Sequence, residues 1–367
     1  MKKIGCMTFH AAHNFGSVLQ AFALQEFFHH FFSDYTYEII NFRTQFQKEK
    51  YKSIFEKKDI KSRIKQIIMF NEKNNISLKK ERFEKFINNR LNVTKEFDTL
   101  ESLEKETFKY DYYLCGSDQI WNIKAPDFNW AYLLEFASGK KISYAASFGP
   151  SEQIYNNDTK ERMIHDLKMF NSISVREKGS YDNVYSLTNI SPSINIDPTM
   201  LLTKSDWDKI ICKERLINHK YILLYDLKRN KNTYKIAKYY SRKMKIPVVL
   251  ITGDLYGHLK FGFEHYYSCG PEEFLNLIKN AELVLSSSFH GNVFSVLFEK
   301  DFYAINGLND MRLQTFLDFL NLKNRNINLD NYKELLKEPK IINYEKVKEI
   351  LEIEKKKTIN YFEEALK

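Results

Sequence analysis

Long hydrophobic runs are missing from this chain of 367 residues. A membrane-spanning helix needs about 20 consecutive apolar residues, and no segment approaches that length. The apolar stretch that follows Lys2 and Lys3 is also too short for a secretory signal peptide. These absences predict a cytoplasmic protein.

Cysteine is scarce as well. The four cysteines, Cys6, Cys115, Cys212 and Cys269, are widely separated and form no C-x-x-C pair. This spacing favours neither a zinc site nor a disulfide framework. We expect reduced and mostly buried thiols.

Glycine-rich phosphate-binding motifs are absent. The loop at residues 10–17, which follows the first predicted strand, contains one glycine, Gly16. It therefore matches neither the dinucleotide-binding fingerprint nor a P-loop, which argues against a nicotinamide or ATP enzyme. The same loop contains His10 and His13, which we interpret as loop residues because no further ligand cluster accompanies them. No metal or cofactor is predicted.

Basic residues are in excess, with a net charge of +9 and a pI near 9.0. The excess is concentrated in residues 48–95 and 355–357, where it is mixed with glutamates, and no nucleic-acid-binding motif is present. A solvated helical face explains such a mixture, and contact with an anionic membrane surface is the alternative. Nucleic acid is not an expected partner.

The chain has enough residues, 43% of them hydrophobic, for two domains of ordinary size. Short apolar runs alternate with helical periodicity in both halves, which predicts an α/β protein. We expect the first such helix to follow Ser17 and to be amphipathic. We predict domains at residues 1–200 and 201–342 and a C-terminal helix at 343–367.

Residues 45–97 differ in composition, being rich in Lys, Glu, Asn and Arg with apolar residues at helical intervals. They predict a basic helical insertion in the first domain. Its apolar patch at residues 64–70 has flanking cations, a pattern that fits peripheral contact with the inner membrane surface. Packing of the patch against the body of the protein is the interpretation that we favour.

One turn in the second half combines several polar groups. The apolar run at residues 283–285 ends at three serines, among them Ser287 and Ser288, and is followed by His290, Gly291 and Asn292 at the start of a helix. Ligands of open α/β sheets lie beyond the carboxyl ends of strands, and a helix N-terminus favours anions. A turn in which the serines only cap backbone donors is the alternative.

Similar turns follow strands of the first half. Asn14, Gly16 and Ser17 precede or begin a helix, and Ser117, Asp118 and Gln119 follow another apolar run. Arg176 and Lys178 lie at the end of a further strand. Arginine suits bidentate capture of a phosphate or carboxylate. The alternative for Arg176 is a surface ion pair with Glu177 or a neighbouring acid.

Six motifs in chain order resemble the polysaccharide pyruvyl transferase family over nearly the whole chain. They are H-N-F-G-S-V-L-Q-A-F-A-L-Q near Asn14, C-G-S-D-Q-I-W-N near Asp118, S-Y-A-A-S-F-G near Ser147, S-V-R-E-K-G-S near Arg176, I-D-P-T near Asp197 and S-S-F-H-G-N-V-F-S near His290. Two departures from the family pattern, Phe15 for tyrosine and Asn292 for a small residue, affect turns near the predicted site.

The resemblance implies two Rossmann-like domains that face each other across a cleft, similar to the GT-B glycosyltransferases, with the last helix crossing back to the first domain. It implies that phosphoenolpyruvate is the donor. Its pyruvyl carbon would join two hydroxyls of one sugar as a cyclic ketal, with release of phosphate. The acceptor would be a lipid-linked precursor of a cell-surface polysaccharide.

The reaction that the resemblance implies suggests roles for these residues. Arg176, with Lys178 as a weaker candidate, would bind one donor anion, and the backbone N–H groups of residues 288–292 would bind the other. His290 would transfer a proton or stabilise the leaving phosphate. Asp118 would accept a proton from the sugar hydroxyls or orient them. The remaining predicted substrate-binding residues are Asn14, Gly16, Ser17, Ser117, Gln119, Ser287, Ser288, Gly291 and Asn292.

Two other functions fit the same sequence. A GT-B glycosyltransferase that uses a nucleotide sugar would share the two-domain fold. A non-catalytic glycan-binding subunit would keep the fold without the chemistry.

Overall fold

The computed structural model describes residues 1–150, 152–227, 230–251, 260–335 and 341–367. The chain divides into two compact units. Unit 1 contains Met1–Tyr51, Ile87–Leu202 and Glu349–Lys367, and unit 2 contains Lys52–Phe86 and Thr203–Lys348.

Each unit is built on one parallel sheet. The strands of unit 1 are β1 (Lys2–Met7), β2 (Tyr35–Phe42), β3 (Val93–Phe97), β4 (Tyr112–Asp118), β5 (Lys140–Ala146), β6 (Ser174–Val175) and β7 (Ser193–Ile194). Those of unit 2 are β8 (Ile222–Tyr225), β9 (Val248–Leu250), β10 (Glu264–His265), β11 (Leu283–Ser286), β12 (Phe302–Ile305) and β13 (Asn326–Ile327).

Helices connect these strands. In chain order they are α1 (Phe15–Phe31), α2 (Gln45–Lys50), α3 (Ile60–Ile68), α4 (Lys73–Arg90), α5 (Leu100–Glu104), α6 (Asn157–Lys168), α7 (Lys178–Thr188), α8 (Lys204–Asp208), α9 (Lys231–Met244), α10 (Pro271–Asn280), α11 (Phe289–Leu297), α12 (Met311–Phe319), α13 (Tyr332–Leu335) and α14 (Tyr344–Ala365). Within the ranges described above, none of these helices is both long and apolar enough to cross a membrane.

The two sheets share one strand order. It is β3-β2-β1-β4-β5-β6-β7 in unit 1 and β10-β9-β8-β11-β12-β13 in unit 2, with parallel pairing throughout. This is the order of a Rossmann fold, in which the direction of winding reverses beside the first strand. The reversals lie between β1 and β4 and between β8 and β11. The predicted α/β class with two Rossmann-like units is therefore confirmed.

The first helix, α1, differs from its sequence prediction. An amphipathic helix was expected, but α1 is buried on most of its surface, including Gln20 and Gln25. The Gln20 amide donates to Thr8 Oγ1 at 2.8 Å, and the Gln25 amide donates to the Arg90 carbonyl at 2.8 Å. In the sequence these glutamines suggest an exposed face. They can be buried because hydrogen bonds inside the unit satisfy their amide groups.

The segment that the sequence predicts as a helical insertion contains a strand. β3 pairs in parallel with β2, with Ile39 opposite Val93 and Phe42 opposite Phe97. Phe97 is buried, whereas Lys95 and Glu96 are exposed. Because an edge strand can leave charged side chains in water, its composition resembles that of the helices before it. The segment between Phe42 and Val93 is thus the crossover of a βαβ unit.

Residues 52–86 of this crossover group with unit 2, although the sequence predicts them in the first domain. Arg82 on α4 lies with its Nε 3.0 Å from Glu273 Oε1, and its Nη1 donates to the Ser268 carbonyl at 2.6 Å. A Cβ on Gly270 would come within 2.5 Å of Arg82 Cβ, so the close approach of α4 requires glycine there. Burial raises the pKa of Glu273, and the Arg82 guanidinium opposes that rise.

The C-terminal helix α14 contributes its last turns to the core of unit 1. The Phe362 ring lies 4.8 Å from the rings of both Phe28 and Tyr144. The Tyr144 hydroxyl lies 3.2 Å from Thr358 Oγ1, and the Tyr112 hydroxyl donates to the Leu366 carbonyl. The end of the chain therefore completes the packing around α1 and β5.

Replacing Arg82 by alanine should loosen residues 52–86. Buried Glu273 would lose its cationic partner, which should lower the local free energy of opening by about 1–3 kcal/mol. Hydrogen exchange measured by mass spectrometry should show faster exchange in α3 and α4. Lys85→Ala on the exposed side of α4 is the control, and equal exchange in the two variants would contradict this attachment.

Candidate functional site at the strand-order reversals

In unit 1, the loop after β1 brings Asn14 to the N-terminus of α1. The Asn14 side-chain oxygen accepts hydrogen bonds from the backbone N–H groups of Gly16 at 3.0 Å and Ser17 at 3.3 Å. Asn14 is therefore the N-cap that starts the helix. The Asn14 side-chain oxygen is used in these bonds to the backbone, whereas the Ser17 hydroxyl is directed across the sheet.

Asp118 lies at the end of β4, on the other side of the reversal. The Ser17 hydroxyl donates to Asp118 Oδ2 at 2.6 Å, and the Gln119 backbone N–H donates to Oδ1 at 2.8 Å. Asp118 has a φ of 73°, an uncommon conformation for a residue other than glycine. Both oxygens of its carboxylate are thus held by groups at the carboxyl ends of β1 and β4, where the predicted site lies.

Arg176 follows β6 and is almost fully buried, with 2% of its side chain exposed. Its Nη1 donates to Asp197 Oδ2 at 2.6 Å, Nε lies 3.5 Å from Glu177 Oε2, and Nη2 lies 3.8 Å from Asp118 Oδ1. One cation therefore lies among three carboxylates. This geometry favours the ion-pair alternative for Arg176, with the pair in the interior instead of at the surface.

Two of these carboxylates, Asp197 and Glu177, were not among the predicted site residues. Asp197 Oδ1 accepts from the Thr199 N–H at 3.0 Å and from the Thr199 hydroxyl at 2.7 Å. Glu177 Oε1 accepts from the Ser147 hydroxyl at 2.8 Å and from the Ser180 hydroxyl. The motifs I-D-P-T and S-V-R-E already contain both residues, so the signal was present in the sequence.

Other predicted residues of unit 1 have different surroundings. Ser117 is fully buried and its hydroxyl donates to the Ala145 carbonyl at 2.8 Å, so it supports the backbone of β5. Lys178 is exposed and pairs with Asp182 one turn further along α7. The side-chain oxygen of Gln119 accepts from the Asn122 amide at 3.3 Å. The hydrogen bonds and the ion pair described here join these three side chains to partners other than the Asp118 carboxylate.

Tyr51 was missed because it follows α2 in the lysine-rich segment. Its ring stacks on His13 with 5.2 Å between ring centroids. Burial raises the pKa of Tyr51, and the nearby carboxylates of Asp127 and Asp118 add to the effect. Tyr51 and His13 therefore extend the polar surroundings of Asp118.

In unit 2, hydroxyl groups connect the ends of β8 and β11. The Ser287 hydroxyl donates to Asp226 Oδ1 at 2.6 Å, and the Ser286 hydroxyl donates to the Tyr225 carbonyl at 3.1 Å. Asp226 is fully buried, and its Oδ2 accepts from the Asn230 N–H at 2.9 Å. Sequence reasoning missed Asp226, which lies at the end of its strand without a recognisable motif.

His290 lies in the first turn of α11, directly beyond this reversal. Its side chain is largely buried, and its ring meets the Phe289 ring edge-on at 5.1 Å. The Ser288 side chain makes no capping hydrogen bond to the described residues of this helix. The N-terminal backbone groups of α11 are therefore placed to favour an anion beside the imidazole.

Gly291 and Asn292 stabilise the turn between β11 and α11. A Cβ on Gly291 would lie 2.2 Å from Ser286 Oγ, so only glycine allows the helix to start so close to β11. The Asn292 amide donates to the Ser288 carbonyl at 2.7 Å and to the Ser286 carbonyl at 3.3 Å. Since Asn292 is fully buried, its amide stabilises the turn itself.

In the described ranges, no group of three or more His, Cys, Asp or Glu side chains is arranged to bind a metal. His10 is fully buried, with Nε2 3.0 Å from Asn41 Oδ1 and Nδ1 3.2 Å from the Thr8 carbonyl. These contacts give His10 a place in the packing of unit 1.

Comparison with protein families assigns the chain. The profile of the polysaccharide pyruvyl transferases matches residues 14–309, which include Asn14, Asp118 and Arg176 of unit 1 and His290 of unit 2. The chain belongs to this family. No curated protein matches the sequence.

Two solved structures with a similar fold contain UDP or UDP-GlcNAc. The S. aureus MnaA–UDP structure is 12% identical with a TM-score of 0.55, covering 96% of this chain and 91% of that one. The UDP-GlcNAc 2-epimerase from Neisseria meningitidis, bound to UDP-GlcNAc, is 13% identical with a TM-score of 0.50, covering 99% and 100%. At this identity the comparison shows only that the pyruvyl transferase chain has a similar fold, which is GT-B-like.

The buried ion cluster predicts a large effect of Arg176→Ala on stability. Removing the guanidinium would leave three carboxylates without their cation, which should cost about 3–5 kcal/mol. Chemical denaturation measures the difference. Lys178→Ala, two residues away and exposed, should stay within about 0.5 kcal/mol of the parent protein. Equal stability of the two variants would contradict the structural role of Arg176.

Proposed function

We propose that this protein transfers the pyruvyl group of phosphoenolpyruvate to two hydroxyls of a sugar in a cell-surface polysaccharide precursor. The match of residues 14–309 to the pyruvyl transferase family is the observation on which the proposal rests. The polar groups at both strand-order reversals support it, since ligands of such sheets bind there. The acceptor is lipid-linked, the reaction needs no cofactor and takes place in the cytoplasm.

The reaction balances without water or a redox partner. Two C–O bonds form between the second carbon of phosphoenolpyruvate and two sugar oxygens, and the bond from that carbon to the phosphate oxygen breaks. One hydroxyl proton goes to the methylene carbon, which becomes a methyl group, and the other leaves with phosphate. The enzyme must therefore bind two anionic groups and move two protons.

The N-terminus of α11 is the proposed anion-binding element. Its backbone N–H groups favour a phosphate or carboxylate through hydrogen bonds and the helix dipole. Ser287 and Ser288, which both carry hydroxyl groups, lie directly before this helix. Gly291 allows the helix to begin against β11, so the amides can lie close to the end of the strand.

His290 is the proposed proton-transfer residue of unit 2. Imidazole exchanges protons near neutral pH, which suits protonation of the methylene carbon or of the departing phosphate. Its position in the first turn of α11 supports this role, because a helix N-terminus favours an anion. The same group thus acts where charge changes most during the reaction.

Asp118 is the proposed residue for the sugar hydroxyls. Its two oxygens accept hydrogen bonds from Ser17 and the Gln119 N–H, and a carboxylate has about four acceptor sites. The remaining capacity suits orientation of a hydroxyl or acceptance of its proton. Arg176, whose guanidinium pairs with Asp197 and lies near Asp118, acts as a positioning residue.

The proposal predicts loss of turnover in His290→Ala and Asp118→Asn. With phosphoenolpyruvate and a suitable lipid-linked glycan, the parent protein should release phosphate. Each variant should lose about 100- to 10,000-fold in rate, because general acid–base catalysis contributes that much. His30→Ala, at the exposed end of α1, is the control and should keep its activity. Circular dichroism confirms that each variant is folded.

Two outcomes would contradict the proposal. Phosphate release at the parent rate by folded His290→Ala would remove the imidazole from the mechanism. Absence of turnover across a broad acceptor panel, with biological activity retained in His290→Ala, would favour a non-catalytic glycan-binding subunit.

The nucleotide-bound neighbours favour one second candidate, a glycosyltransferase that uses a nucleotide sugar. Shared folds host different reactions, so the choice depends on the ligand. Thermal denaturation separates the two functions. Stabilisation by phosphoenolpyruvate and not by UDP-GlcNAc is expected, and the reverse result would favour the glycosyltransferase.

A further inference from the structure

Helix α3 contacts the turn that precedes it through its polar side. The Gln66 amide donates to the carbonyls of Ile54 and Lys57, each at 2.8 Å. Ser62, one turn earlier on the same side, is buried and is bonded through its N–H and hydroxyl to the Asp59 carboxylate. The inner side of this helix is therefore hydrophilic.

The opposite side of α3 is apolar and exposed. It consists of Ile60, Ile64, Ile67 and Ile68, which we call the isoleucine face; Ile60 is 77% exposed and Ile67 is 78% exposed. Phe70, just after the helix, is 69% exposed. Positions i, i+4, i+7 and i+8 lie on one side of a helix, and in a soluble protein that stripe normally faces the core. In α3 the apolar stripe faces solvent instead of the core.

Cations surround the isoleucine face. Five basic residues and one acid lie between Lys57 and Lys65, and the acid, Asp59, is the N-cap of the helix. At about 100° per residue, Arg63 falls on one flank of the isoleucines, and Lys61 and Lys65 fall on the other. Within the described part of the chain, none of these three flanking cations forms an ion pair. An apolar stripe bordered by cations on both sides is thus presented to solvent.

We propose that α3 is a docking surface for an anionic lipid bilayer. The helix lies parallel to the membrane, with the isoleucine face and Phe70 at the boundary between headgroups and acyl chains. The flanking Lys and Arg side chains extend to the anionic headgroups. The charge pattern selects this occupant, because cations on both flanks complement an anionic plane.

The exposure of these side chains contradicts the expectation that residues 64–70 pack against the body of the protein. Only Met69 of that patch is deeply buried, while Ile64, Ile67, Ile68 and Phe70 are exposed. The membrane alternative from the sequence now has a structural basis. It stands independently of the reaction proposed above, because it concerns binding to lipid alone.

Vesicle co-sedimentation of the full-length protein tests the apolar contribution. Vesicles of phosphatidylglycerol and phosphatidylcholine should bind the protein at low salt, and vesicles of phosphatidylcholine alone should bind it weakly. Ile64→Ser and Ile67→Ser should each lower the partition coefficient about tenfold, because a buried isoleucine contributes that much. Ile154→Ser, at a residue of unit 1 that is also 77% exposed, is the matched control and should bind like the parent.

A second variant tests the electrostatic contribution. Combined replacement of Lys61, Arg63 and Lys65 by glutamine should weaken binding to anionic vesicles and reduce its dependence on salt concentration. All substitutions are at exposed positions, and circular dichroism verifies the fold of each variant.

Three results would overturn the proposal. The first is no binding of the parent protein to anionic vesicles at low salt. The second is equal loss of binding in Ile154→Ser and Ile67→Ser. The third is a parent protein that elutes as a dimer and becomes monomeric in Ile67→Ser without binding vesicles, since the isoleucine face would then be covered by a second copy of the chain.

Discussion

The reversal of strand order beside the first strand of each sheet is the constraint on which the candidate site depends. Helices follow β1, β8 and β11 and a loop follows β4. A hydroxyl–carboxylate hydrogen bond of 2.6 Å connects the ends of β1 and β4, and another connects those of β8 and β11. A bond to a charged group contributes about 1.5–3 kcal/mol. Ser17 with Asp118, and Ser287 with Asp226, thus fix the positions at which the family motifs place their polar residues.

Burial of charge decides what the unit 1 site can do. Arg176 lies among Asp118, Asp197 and Glu177 in the interior, where unpaired charges are costly. The guanidinium is therefore part of the framework that orients Asp118. In unit 2 the proposed anion site differs, because it relies on a helix N-terminus and on His290.

The sequence was sufficient for the strands that are marked by apolar runs and for the turns after them, because apolar runs followed by small polar residues are local signals. It was insufficient where burial reverses the usual meaning of a side chain. The buried glutamines of α1, the exposed charges of edge strand β3 and the exposed isoleucines of α3 are three such cases. Arg176 is a fourth, since its neighbours Asp118 and Asp197 are distant in the chain and only the sheet brings them together.

The account is tested most directly by the fate of the pyruvyl carbon. Phosphoenolpyruvate labelled isotopically at its second carbon, incubated with the protein and a lipid-linked glycan, allows carbon NMR to follow that atom. The account predicts a labelled carbon bonded to two sugar oxygens and to a methyl group, with one phosphate released per carbon transferred. Label in an unsaturated enol ether on the glycan, or no transfer while a nucleotide sugar is consumed, would contradict it.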